Sequence, residues 1–292
     1  MSKSTLSKSD FHAEPVTFRG GGFAPRPIGL VGAIVFVLLI AFWEWGSRVG
    51  WISQLVLPAP SEAFAAFQEL VASGLLWKHV TASVTRLLTG WVSGTALGLL
   101  VGLSIGLFSL ARAGLVPLVS AMFPIPKIAM LPLFIIWFGI GEGSKVATIL
   151  FGTFFPTVIT VYGGVDNVDR NLIRMGQSFG LSWFSIVRKI ILPGALPAIL
   201  SGARISASIA IILLVAAEMI GAEFGIGAYI LLAGSLMATD QLIAGVALLS
   251  VLGLTVGWLI SKAEKYLKWK ANKSLLDMCT DSLRWQKNCN IE

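Results

Sequence analysis

The stretch that decides the fold is residues 87–110, LLTGWVSGTALGLLVGLSIGLFSL, which contains no charged residue. A helix of about 20 mostly apolar residues crosses the roughly 30 Å hydrocarbon core of a bilayer. Five glycines recur within the stretch at a strict spacing of four: Gly90, Gly94, Gly98, Gly102 and Gly106. Because residues four apart share one face of a helix, the segment is predicted to be a membrane-spanning helix with a groove along that face.

The glycine face predicts close packing against another helix. Lipid tails are as apolar as leucine, so helices associate in a bilayer through close backbone approach, which small residues four apart permit. The partner is either another helix of this chain or a helix of a second subunit. The repeat by itself fits both arrangements.

The composition extends the membrane interpretation to the whole chain. Of its 292 residues, 55% are hydrophobic and 13% are charged, whereas a soluble domain carries about 25% charged residues. So few polar groups could not cover a soluble surface, which excludes an ordinary cytosolic enzyme, and the apolar content excludes a disordered chain. Five more stretches are long and apolar enough to cross: residues 28–45, 114–139, 146–165, 194–217 and 241–261. We therefore predict an all-α membrane protein with six transmembrane helices.

The remaining segments divide the chain into a domain and two tails. We expect residues 1–27 to form a polar N-terminal tail, 28–262 the transmembrane domain and 263–292 a basic C-terminal tail. A short uncharged piece, residues 224–239, is predicted to be a re-entrant or interfacial element. Both cysteines of the chain lie in the C-terminal tail without a histidine cluster nearby, so neither a disulfide framework nor a metal site is predicted.

Lysines and arginines predict the orientation of the helices. If the N-terminal tail is cytosolic, the inside segments hold 16 of the 22 lysines and arginines, and the outside loops hold 3. Cytosolic loops carry such an excess, so both termini are predicted to be cytosolic. The basic C-terminal tail then lies close to anionic lipid, and nucleic acid is not an expected partner.

Three ionisable residues within or at the ends of the predicted spans are candidate functional residues. Lys127 lies in the third span, which Pro124 and Pro126 also interrupt, Arg204 lies inside the fifth, and Glu218 lies near the outer end of the fifth. Ionisable groups inside a bilayer are costly, and they face the bundle interior or water. These residues therefore either line a path through the membrane or form structural ion pairs, for which Glu44 is a further possible partner.

The segment 166–193, predicted to be cytosolic, is longer than most connections in a compact bundle and carries helix signals. Asp169 is placed to cap a first helix, and Gly180 stands where a left-handed residue would end it. Apolar residues recur between them at helical spacing: Leu172, Met175 and Phe179.

A second helix is predicted directly after the first. Ser182 is placed to cap it, and Pro193 follows where it can stop or redirect the chain. Its apolar residues are Trp183, Phe184, Val187, Ile190 and Ile191. We therefore expect two short helices in an L, with apolar side chains on the side that faces water. An apolar helical knob of this kind usually docks in a groove of another protein, and folding back onto the membrane interface is the alternative.

At this loop the sequence resembles the EAA motif of the permease subunits of bacterial ABC importers. The motif begins in residues 176–180, GQSFG. The positions that match it are Gly180, Ile190, Leu192 and Pro193. Its start departs from the family pattern, because Arg174 stands where the family commonly has glutamate and Gly176 where it has alanine.

Three other segments narrow the resemblance. Residues 57–61 (LPAPS), 137–141 (WFGIG) and 216–221 (AAEMIG) resemble the subfamily that imports nitrate, sulfonates, taurine and bicarbonate. The resemblance implies a type I importer permease in the bacterial inner membrane, paired with a second copy or a sister permease. Two cytosolic ATP-binding subunits would grip the loop, and a periplasmic binding protein would deliver a small oxyanion such as nitrate, a sulfonate or taurine.

For such a permease, two sets of residues are expected to carry function. The docking and coupling residues would be Phe179, Gly180, Trp183, Phe184, Ile190, Leu192 and Pro193. The translocation path would include Lys127, Arg204 and Glu218.

The sequence contains no phosphate-binding loop of the form GxxxxGK[ST], so we do not expect the chain to hydrolyse ATP or to hold a cofactor.

Two other classes of protein remain as alternatives. An ion-coupled secondary transporter often shows inverted repeats, and no convincing repeat relates the two halves. An intramembrane enzyme would need a catalytic pair or a metal site, and no histidine lies in any predicted span.

Overall fold

The computed structural model describes the backbone of residues 29–289 and the side chains of residues 31–266. The predicted N-terminal tail, residues 1–27, lies outside the described residues. Every regular element of the described part is helical, which confirms the all-α prediction. The α-helices are α1 (Gly29–Arg48), α2 (Pro60–Ala72), α3 (Leu75–Leu107), α4 (Ser109–Met122), α5 (Leu131–Phe138), α6 (Glu142–Asp166), α7 (Arg170–Ser178), α8 (Trp183–Ile186), α9 (Leu192–Met219), α10 (Ile226–Ser235) and α11 (Thr239–Cys289).

Five unbroken helical segments of the described chain are long and apolar enough to cross a membrane. They contain α1, α3, α6, α9 and α11. The third predicted span, residues 114–139, is instead a pair of helices bent by 92° between Met122 and Lys127. Pro124 and Pro126 lie in the break, because a proline lacks the N–H for a helical hydrogen bond and forces the residue before it out of the helical conformation.

The packing of α3 on α6 shows that the bent pair runs the full length of the bundle. The two helices are parallel, because Gly90 faces Ile149 and Gly106 faces Val165. Parallel neighbours need a return connection, so residues 108–141 must pass from one end of the core to the other. The pair is therefore a broken span, and the number of crossings agrees with the predicted six.

The five glycines of α3 form a groove that α6 fills. On α6 a ridge of β-branched residues repeats at the same spacing: Ile149, Thr153, Thr157, Val161 and Val165. A Cβ atom at Gly90 would lie 2.6 Å from the Cβ of Ile149, and one at Gly98 would lie 2.7 Å from that of Thr157. These distances are shorter than van der Waals contact, so even alanine would push the helices apart. The structure thus places a helix of the same chain, not a second subunit, in the glycine groove.

The other side of α6 packs on α9 through small residues as well. A Cβ atom at Gly164 would lie 2.6 Å from the Cβ of Ala198, and one at Gly202 would lie 2.7 Å from the Cβ of Thr160. The three helices α3, α6 and α9 therefore form a closely packed core, in which the backbones approach because side chains are small at the crossing points.

The remaining helices surround this core. α1 is exposed along most of its described length. Near its C-terminal end it contacts the segment before α2, where Trp43 Nε1 donates to the carbonyl of Pro58 at 3.1 Å. α10 has 10 residues, about 15 Å of helix, which is too short to cross, as predicted for residues 224–239. α11 has 51 residues, about 76 Å, so the helix does not end at residue 261 but continues through the predicted tail to Cys289.

Candidate functional site

The core helices have two chemically different ends. The loop end comprises residues 108–112 and 166–193, where α3 and α6 finish and α9 begins. The ion end comprises residues 79–86, 140–145 and 218–227. The predicted docking residues lie at the loop end, Glu218 lies at the ion end, and Lys127 lies at the break between α4 and α5.

The first helix of the loop end is fixed by local backbone signals. The carboxylate of Asp169 accepts a hydrogen bond from the N–H of Asn171 at 2.8 Å, so Asp169 is the cap that the sequence predicts. Gly180 has a φ of 70°, the left-handed conformation that ends α7. The N–H of Leu181 then donates to the carbonyl of Gly176 at 3.0 Å, which is the longer-range hydrogen bond of a Schellman turn.

The second helix of the loop end is continuous with the span that follows. Ser182 caps α8 by accepting from the N–H of Ser185 at 3.4 Å. Residues Val187–Ile191 then form a π-helical turn that leads directly into α9. The prediction that Pro193 stops or redirects the chain is wrong. Pro193 is the second residue of α9, and the π-helical turn directly before it carries the helical run from Trp183 to Met219 through the proline, so the run is unbroken over 37 residues.

The predicted docking residues separate into an exposed group and a packed group. Phe179 is 78% exposed, Phe184 65% and Trp183 54%, and Gly180 is exposed between them. The packed group is half-buried: Ile190, Leu192 and Pro193. Ile190 lies under α7, where its Cδ1 is 2.9 Å from the position of a Cβ atom at Gly176. The structure explains the glycine at 176, because alanine there would press on Ile190.

Five exposed apolar side chains lie on α7, on α8 and in the turn between them, and we call this set the loop knob. Its members are Leu172, Met175, Phe179, Trp183 and Phe184. The ring of Trp183 also contacts that of Phe108 at the end of α3, with centroids 5.6 Å apart. Nearby, Arg112 pairs with Asp166 at 2.6 Å, and both side chains are about half exposed.

The ion end is organised by Arg86, whose side chain is 5% exposed. Its Nε and Nη2 donate to the two carboxylate oxygens of Glu142 at 2.5 and 2.6 Å, a bidentate pair. Its Nη1 donates to Glu218 at 2.8 Å and to the carbonyl of Phe224 at 2.6 Å. One guanidinium group therefore joins α3, α6, α9 and the turn before α10.

Glu218, which the sequence offers as a path residue, is enclosed in this network. Its side chain is 0% exposed. Ser83 donates to its carboxylate at 2.7 Å, and the N–H of Gly227 donates to it at 2.9 Å. With Arg86, these donors satisfy both carboxylate oxygens inside the chain. The geometry assigns Glu218 to a structural role, in which it holds the start of α10 against α3.

Two further buried polar residues complete the ion end. The ring Nδ1 of His79 lies 3.1 Å from the N–H of Gly225 and 2.9 Å from its carbonyl. Lys145 is 3% exposed, and its ammonium donates to the carbonyls of Ile140 and Gly141 at 2.9 and 3.0 Å. Both residues thus tie loop backbone to the helices, as the hydrogen-bonding needs of buried groups require.

Lys127 and Arg204 lie away from both ends. The ammonium of Lys127 donates to the carbonyls of Met122, Phe123 and Ile125 at 3.2, 2.6 and 2.6 Å. All three of its donors are used at the break between α4 and α5, so this lysine stabilises the bend. Arg204 is 57% exposed, with Nη1 3.8 Å from a carboxylate oxygen of Glu264.

The role of Arg86 is not among the sequence predictions, although the sequence carries a signal for it. His79, Ser83 and Arg86 precede Gly90 at spacings of four, three and four, so they continue the face that the glycines occupy. Polar residues on the packing face of a membrane helix need partners from the neighbouring helices. Glu44 likewise pairs with Arg48 and Ser61 rather than with either predicted partner.

A cavity of about 540 Å³ opens at the ion end. The residues that line it are Lys78, Thr81, Ala82, Thr85, Arg86, Glu142 and Phe224. Among the described residues, no group of three or more metal-ligating side chains is arranged to hold a metal ion.

Comparisons with known proteins assign the family. Residues 94–267 match the family described as binding-protein-dependent transport system inner membrane component. A protein of Escherichia coli (strain K12) named as an aliphatic sulfonates transport permease is 39% identical over 215 residues, which cover 74% of this chain and 82% of that protein. The taurine transport system permease of the same organism is 36% identical over 232 residues, which cover 78% and 84%.

A solved structure shares the fold. A chain of the inward-facing MetNI methionine ABC transporter superposes with a TM-score of 0.55 at 23% sequence identity. The superposition covers 68% of this chain and 96% of that chain.

Proposed function

This chain belongs to the family of inner membrane components of binding-protein-dependent transport systems, and from that premise we propose that its solute is an aliphatic sulfonate. The chain is the membrane-spanning permease subunit of an ABC importer, and its relatives give no support to an ion-coupled secondary transporter. Two relatives named for sulfonate and taurine transport support the solute class, since both compounds carry the same sulfonate group.

The loop knob is the proposed docking surface for a cytosolic ATP-binding subunit. An exposed aromatic cluster on short capped helices has the form of a ligand for a groove in another protein. The four exposed residues Phe179, Gly180, Trp183 and Phe184 would touch the partner. The half-buried Ile190, Leu192 and Pro193 would hold the knob on the core.

The continuity of α8 with α9 is the observation that carries this proposal. The helical run from Trp183 to Met219 is about 55 Å long, so it reaches from the loop knob past Arg204 to the ion end. A rigid-body shift of the knob, driven by closure of the ATP-binding subunits, would therefore move α9 directly. The chain itself would hydrolyse no ATP.

The remaining partners and the orientation follow from this arrangement. We place the loop end in the cytosol with both termini, and the ion end at the periplasmic face of a bacterial inner membrane. A periplasmic binding protein would deliver the solute to the ion end, and a second copy of the chain would complete the path as a homodimer. The excess of lysine and arginine in the inside segments supports this orientation.

Arg204 is the proposed path residue of the three that the sequence offers. Its side chain is 57% exposed on a spanning helix of the single chain, and a cation at that depth faces water or a partner subunit rather than lipid. Lys127 would shape the path indirectly, by holding the bend between α4 and α5. Uptake should fall in Arg204→Ala and should be partly retained in Arg204→Lys.

The test of docking is a purification of the full chain from its native membrane in mild detergent. We expect a stoichiometric ATPase to accompany the chain and to be lost in the Trp183→Ser, Phe184→Ser double variant. A matched control changes an exposed tryptophan and an exposed phenylalanine outside the loop end, Trp77→Ser with Phe64→Ser, and should keep the ATPase. Retention of the ATPase by the loop variant would contradict docking at the knob.

A further inference from the structure

We propose that the cavity at the ion end is an oxyanion-binding site in which Glu142 is an internal competitor for the solute. The site would receive the sulfonate group of a solute at the mouth of the membrane path. The inference rests on the proposed function only for the identity of the anion. Its geometry stands on Arg86, Lys78 and Glu142.

Arg86 presents the chemistry that an oxyanion needs. Its Nε and Nη2 form a planar pair of donors, which matches two oxygens of a carboxylate and equally two oxygens of a sulfonate. Its Nη1 is separately engaged by Glu218 and by the carbonyl of Phe224. The guanidinium would therefore stay in place and partly neutralised while the Nε–Nη2 edge exchanges one anion for another.

Glu142 is the most exposed member of the network. Its side chain is 65% exposed at the beginning of α6, whereas the side chains of Arg86 and Glu218 are 5% and 0% exposed. Rotation of an exposed glutamate into water costs little, because water solvates the released carboxylate. The pair Arg86–Glu142 thus has the form of a bound oxyanion whose place a solute can take.

A second cation, Lys78, adds positive charge to the cavity. This charge would attract the anionic group of a solute. Lys78 lines the same cavity and forms no ion pair with any described residue, and its ammonium lies 5.6 Å from the ring centre of Phe224. A sulfonate at the Arg86 edge would draw on Lys78 as well. The cavity volume of about 540 Å³ is in the range of small-molecule sites.

Beyond the cavity, which Thr81 and Thr85 line, the same face of α3 carries further hydroxyl groups. Hydroxyl groups recur there at spacings of four: Thr81, Thr85, Thr89 and Ser93. Each donates to the carbonyl one turn earlier, so their oxygens form a polar line that costs the helix no unsatisfied group. This line would lead a polar solute from Lys78 into the path.

The test measures anion binding with Arg86 left unchanged. The full chain in lipid nanodiscs is titrated with sodium ethanesulfonate at constant ionic strength, and binding is followed by saturation-transfer NMR of the ethyl protons. Glu142→Gln should bind ethanesulfonate about tenfold more tightly than the wild type, because the competing carboxylate is gone. Adding Lys78→Ala to that variant should weaken binding about tenfold again.

Matched substitutions elsewhere separate the site from general charge effects. Glu69→Gln and Lys189→Ala change exposed residues outside the cavity and should leave binding unchanged. Equal binding by Glu142→Gln and the wild type would overturn the competitor role, and an unaffected Lys78→Ala variant would overturn the site.

Transport assays on the same variants distinguish this inference from the proposed function. Cells with the wild-type permease could import ethanesulfonate although neither Glu142→Gln nor Lys78→Ala changes its binding. In that case the inference fails and the sulfonate importer stands. If Glu142→Gln binds ethanesulfonate tightly but no sulfonate is imported, the oxyanion site stands and the proposed solute class fails.

Discussion

The two ends of the same three helices are held together by opposite chemistries. The ion end buries six polar or charged residues, each 8% exposed or less: His79, Ser83, Arg86, Ser144, Lys145 and Glu218. The loop end exposes seven large apolar residues, five of them in the loop knob, and has its one described ion pair, Arg112–Asp166, at the surface. Between the ends, the glycine groove of α3 holds α6 along its whole length.

The two ends differ in whether their side chains are satisfied within the chain. The ion end pairs its buried charges internally, whereas the loop end leaves large apolar side chains exposed. Buried charges are costly unless all partners are present, and the ion end supplies every partner from its own chain. Exposed aromatic side chains have no charge to pair, so the chain can fold before another protein covers them. The loop end is therefore the proposed contact surface for a partner, and the close packing of α3, α6 and α9 joins the two ends into one body.

The largest expected effect breaks the ion end. Glu218→Ala leaves the buried Arg86 with Glu142 as its one remaining ion-pair partner, and it should destabilise the fold by about 3–5 kcal/mol. Asp166→Ala at the exposed ion pair of the loop end is the control, and it should cost about 0–1 kcal/mol. Thermal unfolding of both variants in detergent measures the contrast, and equal midpoints would refute the distinction between the two ends.

The next effect breaks the groove between the ends. Gly98→Ala would place a methyl group 2.7 Å from the Cβ of Thr157, so it should cost about 1–3 kcal/mol by forcing α3 from α6. Gly114→Ala is the matched control, because nothing lies within 4 Å of its added Cβ atom and it is helical without a positive φ. The same unfolding assay should find Gly114→Ala neutral or slightly stabilised.

A smaller effect is expected at the turn of the loop end. Gly180→Val would force a β-branched residue into a left-handed conformation with φ of 70°, which costs roughly 1–2 kcal/mol at that turn. Because the strain falls on the loop knob, coupled ATPase activity should drop more than global stability. Gly180→Asn tolerates the same φ and should retain coupling. A Gly180→Val complex that couples normally would argue against the two-helix docking surface.

The smallest effect concerns the cap of α7. Asp169→Ala removes the hydrogen bond to the N–H of Asn171 and should weaken the helix by about 1 kcal/mol. Hydrogen exchange should then speed up across residues 170–178 and stay unchanged at the ion end. Asn171→Ala keeps the capping carboxylate and is the control. Equal exchange rates in the two variants would show that the Asp169 cap does not stabilise α7.

Local signals in the sequence were enough to predict the spans and the loop helices. The cap at Asp169 and the left-handed Gly180 depend on residues within one helical turn, and both are found in the structure. The six crossings follow from runs of apolar residues, which need no knowledge of neighbours. The interruption near Pro124 was equally visible, since proline acts on its own backbone.

Long-range pairing could not be predicted in the same way. Arg86 bonds to Glu218 and Glu142, which are 132 and 56 residues away, whereas the sequence named Arg204 and Lys127 as the span cations and did not pair either of them with Glu218. The continuity from α8 into α9 was also missed, because a π-helical turn lets Pro193 begin a helix where proline alone suggests an end.

The sequence by itself determined a membrane protein of six crossings with a helical loop, because hydropathy, caps and turn glycines act over one or two turns of chain. Only the tertiary structure decided that the glycine groove holds α6 of the same chain. It also decided that Lys127 bonds to the carbonyls at the break between α4 and α5, and that Arg86 joins the helices at the ion end. Those choices depend on which helix faces are brought together, and a single helix carries only half of each contact.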